Sequence, residues 1–100
     1  MSKTTTHGAE VKARIIATGL RLWRAYGAAG VSARRIGAEL KMTHGAVLYH
    51  FQTAENMRDA VAHEAVRLLD PCIVPQLIVS RHDAISPLTQ DQRAAFMSGY

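Results

Sequence analysis

A single cysteine, Cys72, occurs among the 100 residues. With no second thiol there is no intrachain disulfide, and a cysteine-based metal site is set aside. Cys72 is expected to serve as small, buried apolar filler. Long hydrophobic runs are missing as well. Cys72-Ile73-Val74 and Leu77-Ile78-Val79 are interrupted by Pro75 and Gln76, far short of the ~20 residues needed for a membrane span. The stretch from Met1 to His7 is polar and has neither the apolar core nor the cleavage site of a secretory signal. A cytoplasmic protein with no membrane association is expected. Internal repeats and low-complexity tracts are also absent.

The usual catalytic patterns are missing too. His44 and His50 are six apart on a short predicted helix and so lie on different faces, which keeps them from sharing an ion. His63-Glu64 does not belong to a paired-histidine zinc motif, and His82-Asp83 is a lone pair in a turn-like region. Nothing supplies a nucleophile elbow or a glycine-rich phosphate loop. Neither an enzyme nor a cofactor or metal site is expected.

What remains is a chain sized for one small domain, whose core buries roughly two thirds of the surface its unfolded form would expose. With 48% apolar and 20% charged residues it has the composition of a folded protein. The formal charge of +4 is unevenly spread. Residues 11–52 carry Lys12, Arg14, Arg21, Arg24, Arg34, Arg35 and Lys41 against the single acid Glu39, a net +6. Residues 53–100 are net −2. A concentrated positive segment suits a polyanion, because neutralised phosphates release condensed counterions; it also suits a merely solvated surface.

Apolar residues Val11, Ile15, Ile16, Leu20, Leu22, Trp23 and Tyr26 recur at spacings of three and four, predicting an amphipathic helix from about Ala9 to Tyr26. Gly27 and Gly30 end it. Trp23 and Tyr26, being on its stripe, are expected in the core. Ser32 is placed to cap a short helix over Ala33–Leu40, with Ile36 and Leu40 inward. Thr43 is placed to cap another running to about Phe51, with Val47 and Phe51 inward. Thr53 opens a fourth helix with Glu55 in its first turn and Met57, Val61, Ala65 and Leu68 as its stripe, stopping before Pro71. After the proline-punctuated stretch of Pro71, Pro75 and Pro87, Thr89 and Gln92 form a capping box for a last helix ending near Gly99.

Two short helices in series, joined by a tight turn, have the composition of a helix-turn-helix from about Ser32 to Phe51. Its second helix enters the major groove while its first crosses the backbone. Gly37, one residue after Ile36, supplies the small residue needed where the helices cross. Thr43, His44, Gly45 and Ala46 leave the outer face of the second helix small and polar, so that it can approach base edges.

From the first helix through Gly30-Val31-Ser32-Ala33-Arg34-Arg35-Ile36-Gly37-Ala38-Glu39-Leu40 to Gly45-Ala46-Val47-Leu48-Tyr49-His50-Phe51 and Glu55, the sequence resembles the TetR-type transcriptional repressors. The resemblance covers roughly residues 11–66 and is most specific at Tyr49-His50-Phe51 followed by Thr53. It implies an all-α fold: a three-helix helix-turn-helix unit whose fourth helix links it onward, with a DNA-binding domain over 9–69 and a short helical tail over 70–100. Residue by residue, it implies that His44, Gly45 and Ala46 face bases, that Tyr49 and His50 hold phosphates, and that Ser32 and Arg34 approach the DNA backbone or a base edge, with Ala33 between them in the DNA-binding set. Three positions depart from the family pattern. Lys41 stands where glycine commonly makes the turn, which implies a backbone cost of roughly 1 to 2 kcal/mol. Leu48 replaces an aromatic and offers an apolar group to a thymine methyl. Ala54 replaces a phosphate-gripping lysine.

The family's second domain needs about as many residues again as this chain. A small-molecule inducer is therefore not expected here: the sequence is either a piece of a longer regulator or a minimal one. The apolar tail residues Ile73, Val74, Leu77, Ile78 and Val79 either cover their own core or pair two chains. The expectation is a homodimeric repressor reading a palindromic site in double-stranded DNA. The alternatives are a protein-interaction module, such as an adaptor or antirepressor, and an architectural DNA-binding protein.

Overall fold

A computed structural model describes residues 3–98, with side chains described from residue 8. It is all α-helical, with no strand among the described residues. The order is α1 (Lys3–Tyr26), a 3-10 turn (Ala28–Gly30), α2 (Ala33–Leu40), α3 (His44–Tyr49), α4 (Ala54–Arg67), α5 (Val74–Val79), a second 3-10 turn (Asp83–Ile85) and α6 (Gln90–Ser98). The chain divides into two compact units, Met1–Val61 and Ala62–Tyr100.

In the first unit Ile15, Leu20, Leu22 and Trp23 of α1 are buried with Val31, Ile36, Val47, Phe51, Met57 and Val61. Thr18, a buried polar residue of α1, donates its hydroxyl to the Arg14 carbonyl oxygen at 2.8 Å. Gly19 lets α4 approach α1 closely, since a Cβ there would lie 2.7 Å from Val61 Cγ2. Tyr26 departs from expectation. It is 63% exposed, because it sits at the very end of α1 and its ring lies under the Arg35 guanidinium, 5.0 Å from the ring centre. Gly27 follows with φ 82°, a left-handed conformation that turns the chain out of the helix.

Three caps anticipated in the sequence are formed. The Ser32 hydroxyl accepts from Arg35 N–H at 3.1 Å, that of Thr43 from Ala46 N–H at 3.1 Å, and that of Thr53 from Asn56 N–H at 3.0 Å. The third helix is shorter than expected. α3 ends at Tyr49, and Phe51 reaches the core from the following turn.

The second unit buries Ala62, Ala65, Val66, Ile73, Val74, Leu77, Ala84, Ile85 and Leu88. Its capping box is present, with Thr89 N–H donating to Gln92 Oε1 at 2.9 Å and Gln92 N–H to Thr89 Oγ1 at 3.1 Å. The expected end at Gly99 lies outside the described residues. Two expectations fail near the α4–α5 junction. Leu68 is 49% exposed, because α4 ends at Arg67 and Leu69 takes a left-handed conformation, φ 53°, that turns the chain away from the stripe. Cys72 is exposed rather than buried. The Asp70 carboxylate accepts from both Cys72 N–H (2.8 Å) and Ile73 N–H (3.1 Å), and this tight turn sends Ile73 and Val74 inward, leaving Cys72 outside. Of the apolar tail, Ile73, Val74 and Leu77 are buried, Ile78 is half-buried and Val79 is exposed.

Candidate nucleic-acid interface

The α2–α3 pair is held by its turn. The N–H groups of Lys41 and Met42 both donate to the Gly37 carbonyl oxygen, the latter at 2.8 Å. Closing the turn this way requires a left-handed residue after the helix, and Lys41 takes that conformation at φ 59°, ψ 44°. The cost anticipated for a non-glycine here is therefore present. Gly37 is needed at this approach, since a Cβ on it would lie 2.4 Å from the Met42 carbonyl oxygen.

With Val47 fully buried, the other side of α3 is left outward. Thr43, His44 and Gly45 are exposed, Tyr49 is 81% exposed, and Ala46, Leu48 and His50 are half-buried. Around Gly45 a Cβ would meet nothing within 4 Å, so the backbone of the first turn is open to an approaching partner. The Tyr49 and His50 rings meet edge-to-face with centres 5.6 Å apart. His50 also lines a cavity of about 430 Å³ with Val11, Arg14, Leu40 and Met42, so its ring is shared between that cavity and the surface.

At the start of α2, Ser32 is half-buried and Arg34 exposed. Ala33 is buried at 8% exposure, so its methyl packs inward and only backbone remains to meet a partner. Glu39, the single acid of residues 11–52, is ion-paired with Arg21 on the exposed surface. The Lys12 ammonium lies 5.8 Å from the centre of the Phe51 ring. One cation outside the sequence-derived set also reaches this end of α2: Arg58 Nε donates to the Val31 carbonyl oxygen at 3.0 Å. Its separation of 27 residues from Val31 gives no local signal, and only the packing of α4 brings it there. Among the described residues no group of three or more His, Cys, Asp or Glu side chains is arranged to hold a metal.

Residues 15–61, from the middle of α1 to Val61 of α4, match the family model for bacterial regulatory proteins of the tetR family. These residues form a TetR-family helix-turn-helix DNA-binding domain. No curated protein and no solved structure matches the chain. The TetR-family segment takes in α2, the Lys41 turn, α3 and the start of α4 without interruption. The family is one of DNA-binding regulators rather than enzymes. No described helix is long and apolar enough to cross a membrane.

Proposed function

We propose that the chain is a sequence-specific regulator, a repressor, that lays α3 in the major groove of double-stranded DNA and acts as a homodimer on a palindromic operator. The observation that carries this reading is the division of α3 between a fully buried Val47 and an outward face of Thr43, His44, Gly45 and Tyr49. His44, Gly45, Ala46 and Leu48 meet base edges. Tyr49, His50, Thr43, Ser32, the Ala33 backbone and Arg34 meet phosphates and fix the register. No inducer is assigned. Two copies of α3 about 34 Å apart would match successive major grooves.

Fluorescence anisotropy with a library of random duplexes at two salt concentrations, together with sedimentation, tests the proposal. The expected result is salt-sensitive binding that enriches a palindrome, from a dimer. Tyr49→Ala or His50→Ala should weaken all sequences alike, whereas His44→Ala should change sequence preference. Unchanged preference in His44→Ala would mean that α3 does not read bases through this face. No binding even at low salt would favour a protein-interaction role.

A further inference from the structure

Arg58 lies one helical turn after Ala54 on α4, and its Nε–H donates to the carbonyl oxygen of Val31 at 3.0 Å. Val31 is 1% exposed and directly precedes Ser32, the cap of α2. The acceptor is thus a rigid piece of backbone, and the bond uses the donor nearest the arginine stem. Holding Nε fixes the plane of the guanidinium and leaves both Nη groups, with their four N–H donors, at its outer edge. Among the described residues these Nη groups make no hydrogen bond or ion pair, and Arg58 is exposed as a whole. Three other arginines are engaged through their guanidinium ends. Arg21 is paired with Glu39, Arg67 with Glu64, and Arg35 lies over Tyr26. The partner of Arg58 is a neutral carbonyl, so its full charge persists at the entry to α2.

That place already carries Arg34 and the first-turn amides of α2. A planar fork held against the backbone one residue before a helix cap, with unengaged donors and a helix whose first turn carries a second arginine, is suited to a phosphate. The tether also lowers the rotamer entropy lost when the fork engages a partner. We propose that Arg58 is a phosphate contact of the DNA interface, held by Val31 so that its outer edge grips a backbone phosphate beside Ser32 and Arg34. The inference rests on the DNA-reading function proposed above and adds a cation from α4 to a contact set otherwise drawn from α2 and α3.

The test is anisotropy of a labelled random-sequence duplex with the full chain over a salt series, comparing Arg58→Gln and Arg58→Lys with the unmodified protein. Arg58→Gln should bind roughly three- to tenfold more weakly on every sequence, and the slope of log affinity against log salt should flatten by about 0.9. Arg58→Lys keeps the charge and should keep the slope. Urea unfolding of the same variants reads the tether separately, and Arg58→Met, which retains the apolar stem, replaces the glutamine variant if that folds poorly. An unchanged slope in a folded, uncharged variant, whatever its affinity, would reduce Arg58 to an internal brace and overturn the proposal while leaving the DNA reading intact. If the unmodified chain fails to bind DNA at low salt, both readings fall together.

Discussion

Replacing Gly37 by alanine sets two effects of opposite sign against each other. In an exposed helix interior alanine is favoured over glycine by about 0.8 to 1.0 kcal/mol. Here the new Cβ would lie 2.4 Å from the Met42 carbonyl oxygen, whereas real Cβ contacts essentially never fall under 3.0 Å. Something must therefore retreat by at least 0.6 Å. The obstacle is backbone in a turn whose own N–H is bonded to the Gly37 carbonyl at 2.8 Å, so no rotamer change relieves it. Overpacking of this kind costs typically about 1 to 3 kcal/mol, and an unyielding backbone puts it near about 3. Subtracting the propensity gain leaves a net loss of about 2 kcal/mol. For a domain of this size that lowers the melting temperature by roughly 10 °C. Urea unfolding of Gly37→Ala measures it, with Ala38→Gly at the exposed neighbouring position as a control that should lose about 1 kcal/mol through propensity alone. Because Met42 leads directly into the Thr43 cap of α3, DNA affinity should fall even where the variant remains folded. A Gly37→Ala protein as stable as the parent or more so would refute the close approach and the helix-pair geometry built on it.

Lys41→Gly should stabilise by about 0.5 to 1 kcal/mol, since relief of the left-handed strain exceeds the extra unfolded-state entropy of glycine; a higher urea midpoint checks this. Asp70→Ala removes the acceptor of two N–H groups at a buried position and should cost about 1 to 2 kcal/mol, whereas Asp70→Asn, which keeps an acceptor oxygen, should cost less by the same assay. The Arg67 guanidinium donates two hydrogen bonds to Glu64 and holds its carboxyl below the usual glutamate range. Being depressed on folding, this group adds stability above its unfolded pKa and loses it as pH falls through the lowered value. Glu64 is half-buried but its partner Arg67 is largely exposed and screened by solvent, so Glu64→Gln should lower the urea midpoint only slightly near neutrality, a difference that vanishes in acid.

Helix interiors were readable because burial imposes a period. The spacing of Ile15, Leu22, Ile36, Val47, Met57 and Val61 marks the faces that are buried. Helix starts were readable because a cap is a local bond between residues three apart, as at Ser32, Thr43, Thr53 and Thr89. Helix ends were less so. Lys41, Gln52, Leu69 and Arg81 all take left-handed conformations usually marked by glycine, and without that marker the sequence pattern runs α3 on to Phe51 and the stripe of α4 on to Leu68. α5 is not legible as a defined helix because it has no side-chain cap of its own and follows a turn at Pro71, in which Asp70 accepts from the Cys72 and Ile73 N–H groups, rather than announcing itself by an amphipathic period.

The candidate interface divides along the same line. The residue types of the helix-turn-helix, its caps, its small residue at Gly37 and the unbalanced charge of residues 11–52 are properties of order along the chain, and the sequence alone determined them. Which of those residues are outward was decided by packing: Ala33 turned in, Tyr26 turned out beneath Arg35, and His50 shared with a cavity. The tether of Arg58 to Val31 belongs wholly to the tertiary structure. Local bonds and helical periods act within a few residues and leave their mark in the sequence, whereas a contact across 27 residues forms only once the core has brought α4 against the entry of α2.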